Sequence, residues 1–125
     1  ELEFIQPYLF LLNKRFDQAL LINVNIPEKY HSWYLVPAAL QMLIENAIKH
    51  NIVSRHKPLQ IDIHANGNQA LVVKNNLQPR LEREPSTRIG LKNIQKRYEL
   101  ICGKSVLVQK TGSSFEVSLP LLNLN

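Results

Sequence analysis

The chain has 125 residues, a formal net charge of +5 and 45% hydrophobic residues, which predicts one domain with a substantial core. No apolar run approaches the ~20 residues of a membrane-spanning helix, the acidic start is unlike a signal peptide, and the single cysteine, Cys102, excludes an internal disulfide framework. The positive charge suits an anionic partner, but it is spread along the chain, which makes nucleic-acid binding a minority alternative to nucleotide binding.

The first third of the chain predicts a helix and then a strand. Apolar residues recur at helical spacing over residues 1–18. Ile22 and Val24 then alternate with asparagines, which predicts a strand with one solvated face that Pro27 ends. Residues 28–36 are expected to form a loop with an aromatic cluster.

The middle of the chain predicts a helix followed by two strands. Pro37 suits the first turn of a helix that should fade near Val53. Alternating residues from Leu59 predict the next strand, and residues 70–74 the one after it, with a tight turn at Asn66-Gly67 between them. Residues 75–87 contain prolines and charges without periodicity, which predicts a mobile loop.

The last third predicts a helix and a hairpin. Leu91, Ile94, Tyr98 and Ile101 form one apolar stripe, and Gly103 suits the position after the helix end. Two short strands around residues 111–113 complete the order α-β-α-β-β-α-β-β. That order predicts an α/β fold, a two-layer sandwich with one sheet and helices on one face.

The segment Leu43–Asn51 in the second helix carries the pattern most informative about function. At about 100° per residue its apolar residues form one stripe, whereas Glu45, Asn46 and Lys49 fall on the polar side with His50 at its border. A carboxamide oxygen suits Mg²⁺, and an ammonium offsets phosphate charge, so this turn can hold a metal-bound phosphate. The same residue types are common on solvated helix surfaces, and spacing alone leaves both interpretations open.

The sequence Glu45-Asn46-Ala47-Ile48-Lys49-His50-Asn51 resembles the N-box of GHKL ATPases, in the form typical of sensor histidine kinases of the LytS/YehU type. The segment Ile89–Ile94 is similar to that family's second glycine box. The helix at residues 1–18 and the closing strand Phe115–Leu121 also resemble the family. The resemblance covers essentially the whole chain and implies the Bergerat fold, with a mixed, mainly antiparallel sheet.

The resemblance also implies a role for each site residue. Asn46 would coordinate the Mg²⁺ that bridges the phosphates of ATP, and Glu45 would lie near the γ-phosphate and accept a proton from the attacking histidine. Lys49 would contact phosphate. The residues implied to surround the nucleotide are Asn46, Lys49, His50, Asn75, Thr87, Gly90 and Leu91.

Three positions depart from the family pattern. Asn75 stands where the first glycine box has an aspartate that accepts a hydrogen bond from the adenine amine, and an amide oxygen accepts without charge assistance. Leu77 and Arg88 stand where glycines are expected. These departures favour, as an alternative, a degenerate GHKL domain without catalysis that serves protein-protein contacts.

The resemblance implies the following organisation. Residues 1–18 form a lead-in helix that joins a dimerisation segment, residues 19–125 form the ATP-binding catalytic domain, and residues 77–88 form the ATP lid. The phosphoacceptor histidine would lie upstream, in a homodimeric parent protein that also serves a response regulator. The domain would be the cytoplasmic part of a membrane sensor, with the membrane reached only through the parent and with no nucleic-acid partner.

Overall fold

The computed structural model describes residues 5–80 and 88–123, and the side chains of residues 5–80 and 90–123. Within these residues, the elements follow the predicted order. The helices are α1 (Gln6–Phe16), α2 (Ala39–His50) and α3 (Arg88–Cys102). The strands are β1 (Leu20–Asn25), β2 (Leu59–Ala65), β3 (Ala70–Asn76), β4 (Leu107–Lys110) and β5 (Ser114–Pro120). No helix within the described part of the chain is both long and apolar enough to cross a membrane.

The strands form one five-stranded sheet in the order β1-β2-β3-β5-β4. β1 and β2 are parallel, because the chain returns through α2 between them, and the other pairs are antiparallel. The sheet is therefore mixed and mainly antiparallel, as predicted.

One side of the sheet and the helices share a single core. Along β2, Leu59, Ile61 and Ile63 are fully buried and alternate with exposed or half-buried polar residues. Ile44 of α2 and Tyr98 of α3 are each 0% exposed within this core. The core cluster also includes buried residues of α1, namely Leu9 and Leu12. The predicted two-layer sandwich is confirmed.

Several element ends differ from the predictions for local reasons. α1 ends at Phe16, because Asp17 adopts a positive φ of 49°. Pro37 lies outside α2, not in its first turn, because Ala38 has a left-handed φ of 66° and the helix begins after it. α2 ends at His50, because Asn51 is extended.

The predicted loop and the helix after it also need correction. β3 continues through Asn76, so Asn75 belongs to a strand and not to a mobile loop. α3 begins at Arg88, which places Gly90 inside its first turn instead of before the helix. Ile101 is 58% exposed, so the predicted apolar stripe does not extend to it.

The predicted turns are confirmed. The Asn66 side-chain oxygen accepts hydrogen bonds from the backbone N–H groups of Asn68 and Ala70 at 2.9 and 3.2 Å. Gly103 follows α3 with a φ of +66°, and its N–H donates to the carbonyl of Glu99 at 2.9 Å. The Thr111 hydroxyl closes the β4–β5 hairpin by accepting from the N–H of Ser114 at 3.0 Å.

Candidate functional site

The polar side of α2 is the centre of the candidate site. The predicted apolar stripe of this helix is confirmed, since Leu40, Leu43 and Ile44 are buried against the sheet. That packing fixes the helix rotation and directs its polar side chains away from the core. Glu45 and Lys49 are exposed at one angular position, whereas Asn46 and His50 are half-buried at the next.

Asn46 faces the first turn of α3. A β-carbon placed on Gly90 would lie 3.5 Å from Asn46 Nδ2 and 4.0 Å from its Oδ1. It would also lie 3.8 Å from the terminal methyl of Met42, one helical turn before Asn46. The carboxamide and the Gly90 backbone therefore face each other across one narrow contact between α2 and α3, and neither residue lines the cavity beside α1.

Glu45 and Lys49 instead face α1. They line a cavity of about 410 Å³ together with residues of α1 and with Arg80. Leu11, Leu12 and Phe16 make much of its wall apolar. The cations that line it are Arg15, Lys49 and Arg80, and Glu45 is the acidic residue among its described lining. The cavity thus combines a carboxylate, several cations and an apolar wall beside the N-box helix.

Tyr8 of α1 lines the same cavity. Burial, and then the negative charge of Glu45, raise the pKa of Tyr8 to about 12, so the phenol stays protonated at neutral pH. Its oxygen is buried and close enough to the Glu45 carboxylate for a hydrogen bond to contribute to that raised pKa, but no atom of the described residues meets full hydrogen-bond geometry with it. Tyr8 is therefore a hydrogen-bond donor held beside a carboxylate.

Asn75 occupies a buried position at the end of β3. It is 6% exposed and pairs with Ile61 of β2 and Phe115 of β5, on the side of the sheet that the helices cover. Its Nδ2 donates to the backbone carbonyl of Asn76 at 2.8 Å. This bond assigns the NH₂ group to the backbone and leaves Oδ1 as the acceptor side of the amide.

A set of hydrogen bonds ties the segment after β3 to the end of α2. Asn51 is 4% exposed, donates from Nδ2 to the carbonyl of Ala47 and accepts from the N–H of Gln78, both at 2.9 Å. The Arg80 side chain donates to the carbonyls of Asn51 and Ile48 at 2.9 and 3.2 Å. Residues 77–80 are therefore held in place, which corrects the predicted mobile loop over residues 75–87 for this part.

The remaining predicted residues are distributed as follows. His50 is half-buried at the end of α2, and its carbonyl accepts the N–H of Arg80 at 3.3 Å. Leu91 is half-buried and packs against the core from the first turns of α3. Thr87 and the other residues of 81–87 lie outside the described residues, as does the Arg88 side chain.

Five residues without a predicted site role lie here, namely Tyr8, Leu12, Arg15, Asn51 and Arg80. Tyr8, Leu12 and Arg15 share one side of α1 at helical spacing, but that spacing does not say which element α1 packs on. An asparagine after an apolar helix, such as Asn51, is a recognisable helix-end signal. Arg80 follows a proline in a segment without periodicity, and no local pattern indicates its contacts with α2.

Solved histidine kinase structures share this fold. The catalytic domain of histidine kinase ThkA matches with a TM-score of 0.61 and 14% identity, covering 94% of this chain and 91% of that one. The mycobacterial sensor histidine kinase MprB matches with a TM-score of 0.60 and 15% identity, covering 98% and 96%. The fold is therefore the GHKL fold of histidine kinase catalytic domains.

Sequence comparison identifies a more specific relative among the histidine kinases. The chain is 29% identical over 140 residues to the sensor histidine kinase/phosphatase LytS of Staphylococcus aureus strain MRSA252, and the match covers 96% of this chain and 24% of LytS. LytS of strain Mu50 / ATCC 700699 gives the same identity and coverage. No family model matches the chain. The chain is thus homologous to LytS and spans about a quarter of its length, which confirms the predicted resemblance.

Proposed function

We propose that the chain binds Mg-ATP and is the catalytic part of a sensor histidine kinase, which transfers the γ-phosphate to a histidine on a dimerisation segment. The observation that carries this proposal is the placement of the Asn46 carboxamide against Gly90 in the first turn of α3. An oxygen ligand from one helix then lies beside the N-terminal turn of another, where backbone N–H groups and the helix dipole favour phosphate.

The donor set fits Mg²⁺ and ATP. The Asn46 oxygen is a ligand type that Mg²⁺ accepts, and the Lys49 ammonium suits phosphate oxygens. The proposed acceptor for the adenine amine is the amide oxygen of Asn75, whose NH₂ group is held by the backbone. His50 and Leu91 are expected to border the nucleotide. Mg²⁺ neutralises charge on the phosphates when it is bound.

Glu45 is the proposed proton acceptor. Its carboxylate is exposed beside Asn46 on α2 and lines the cavity between α1 and α2. A histidine that attacks phosphorus must lose a proton, and a positioned carboxylate supports such a step by general base catalysis. The rest of the domain's task is positioning and charge stabilisation, because phosphoryl transfer asks little covalent chemistry of the protein.

Homology to LytS supports a role in two-component signalling. We propose that an upstream segment supplies the acceptor histidine and the dimer contacts, and that a response regulator receives the phosphoryl group afterwards. The proposed location is the cytoplasmic part of a membrane sensor, with residues 1–18 as lead-in helix and residues 19–125 as catalytic domain. The proposed lid starts after residue 80, because Arg80 and Gln78 fix the residues before it.

A second candidate is a domain of the same fold that serves protein contacts without catalysis. Asn75 and Leu77 depart from the glycine-box pattern, and the Asn75 amide already bonds its own strand.

Calorimetric titration with a non-hydrolysable ATP analogue separates the two candidates. The kinase proposal expects saturable heat that requires Mg²⁺, with a GTP analogue binding more weakly because it lacks the adenine amine. The absence of heat at millimolar analogue, with and without Mg²⁺, would contradict it and support the non-catalytic candidate.

A further inference from the structure

The Tyr8 hydroxyl differs from the other buried polar side chains that the structure describes. Among the described residues, it is the buried side-chain oxygen or nitrogen that has no hydrogen-bond partner. Buried polar groups are nearly always paired, so each exception calls for a physical reason. Tyr8 contributes nothing to the nucleotide contacts proposed above, and a phenylalanine would fill the same apolar space.

Among the described residues that line the cavity with Tyr8, one charged side chain can accept a hydrogen bond from its hydroxyl. Arg15, Lys49 and Arg80 line the same cavity, but their side chains are donors only. Glu45 is the acidic residue among the described lining, and it acts on Tyr8 closely enough to raise its pKa. The donor on α1 and the acceptor on α2 therefore line one cavity and interact electrostatically.

The Tyr8 and Glu45 side chains differ in conformational freedom. The Tyr8 oxygen is fixed by burial, whereas Glu45 is exposed and can take several rotamers. A fixed donor beside a mobile carboxylate selects one orientation of that carboxylate. Ordering a flexible base before it acts lowers the entropic part of a reaction barrier.

We propose that Tyr8 is a positioning residue, which donates a hydrogen bond to the Glu45 carboxylate and orients it for the acceptor histidine. The inference rests on the proposed kinase function. In the step concerned, the bond between an imidazole nitrogen and the γ-phosphorus forms while the bond from phosphorus to the ADP oxygen breaks. The imidazole N–H proton passes to Glu45, and Tyr8 keeps its own proton throughout.

The test is a double-mutant cycle in the full-length kinase that carries the acceptor histidine. Tyr8→Phe is expected to lower the maximal rate of autophosphorylation roughly ten-fold, about the effect of one hydrogen bond to a charged group, with an unchanged KM for ATP. In a Glu45→Gln background, which retains a slower measurable rate, the same change is expected to have no further effect. A merely structural role would lower the rate equally in both backgrounds.

A second readout needs neither nucleotide nor activity. In the isolated chain labelled at the tyrosine ring carbons, NMR titration should show a lower pKa for Tyr8 in Glu45→Gln than in the wild type, because the carboxylate charge is gone. Tyr98→Phe is the matched control. Its hydroxyl accepts the N–H of Val36 at 3.3 Å, so its loss should lower the melting temperature without the kinetic pattern of Tyr8→Phe.

The outcomes separate the inference from the function on which it rests. A wild-type rate in Tyr8→Phe, additive losses in the cycle, or an unchanged Tyr8 pKa in Glu45→Gln would each overturn the positioning role while leaving the kinase intact. A wild-type protein that neither binds Mg-ATP nor phosphorylates its histidine would overturn the proposed function, and the inference would fall with it.

Discussion

The Asn46 carboxamide lies against Gly90, so that a β-carbon at position 90 would sit 3.5 Å from Asn46 Nδ2. α2 and α3 are far apart in sequence, and this contact brings the N-box and the second glycine box together. The packing of Ile44 and Ile94, both 0% exposed, fixes the rotations of the two helices that create it. The contact is the geometric basis of the proposed nucleotide site.

Replacing Asn46 by alanine should abolish Mg-dependent nucleotide binding, a loss of at least about ten-fold in affinity. The melting temperature should change little, because Asn46 is only half-buried and its neighbours are helical. Calorimetry with and without Mg²⁺ measures the effect, and Asn46→Asp serves as the variant that keeps an oxygen ligand. Equal affinity of wild type and Asn46→Ala would remove Asn46 from the site.

Replacing Gly90 by alanine should stabilise the free domain by about 0.5–1 kcal/mol, because alanine favours a helix and a contact at 3.5 Å is an ordinary one. The added methyl group points at Asn46, so nucleotide affinity should fall. Urea denaturation and calorimetry measure the two effects. Gly112→Ala, where nothing lies within 4 Å of the new carbon, is the control. A variant that is more stable and binds normally would show that no ligand approaches Gly90.

Replacing Asn51 by alanine should destabilise the domain by about 1–3 kcal/mol, because it leaves the Ala47 carbonyl and the Gln78 N–H without their partner. The change should also release residues 77–80 from α2, which hydrogen exchange can follow at Gln78. Asn68→Ala, in an exposed turn, is the matched control. Unchanged protection at Gln78 would mean that the remaining hydrogen bonds of Gln78 and Arg80 hold this segment without Asn51.

Stability should fall as the pH rises above about 10. Burial raises the pKa of Tyr98 to about 12, and burial and Glu45 raise the pKa of Tyr8 likewise. Between the unfolded value of 10.0 and about 12, the folded state keeps protons that the unfolded state loses. The free energy of unfolding then decreases with pH, by up to about 1.4 kcal/mol per pH unit for one fully shifted group.

Urea denaturation at pH 8 and above pH 10 measures this alkaline loss, and Tyr98→Phe should reduce it. Full retention of stability at high pH would contradict the burial of both phenols. A loss that is identical in Tyr98→Phe would assign it to other groups.

The sequence was sufficient to predict the order of elements and the two-layer fold, because apolar periodicity marks which residues face the core. It was less informative about where elements end. Those ends depend on a left-handed Ala38, on the side-chain bonds of Asn51, and on the pairing that extends β3 to Asn76. Such features arise from tertiary hydrogen bonds that local propensity does not encode.

The candidate site, like the fold, was predicted only in part. The resemblance assigned Asn46 and Gly90 to one nucleotide site because each lies in a recognisable motif, and the structure brings the two residues into contact. The neighbourhood of Tyr8 and Glu45 was not predicted, because it depends on how α1 packs beside α2. The sequence predicted a mobile loop where Arg80 is in fact held by hydrogen bonds. Prolines and charges are typical of mobile loops, and the partners of Arg80 lie about thirty residues away in the sequence.

The most direct test of the central claim is an NMR titration of the ¹⁵N-labelled chain with Mg²⁺ and a non-hydrolysable ATP analogue. The proposed site predicts that the largest shift changes fall on Asn46, Lys49, Asn75 and Gly90, and that strand β4 at the far edge of the sheet stays unchanged. Changes confined to β4 and the outer side of α3, or no changes at saturating analogue, would contradict a nucleotide site between Asn46 and Gly90.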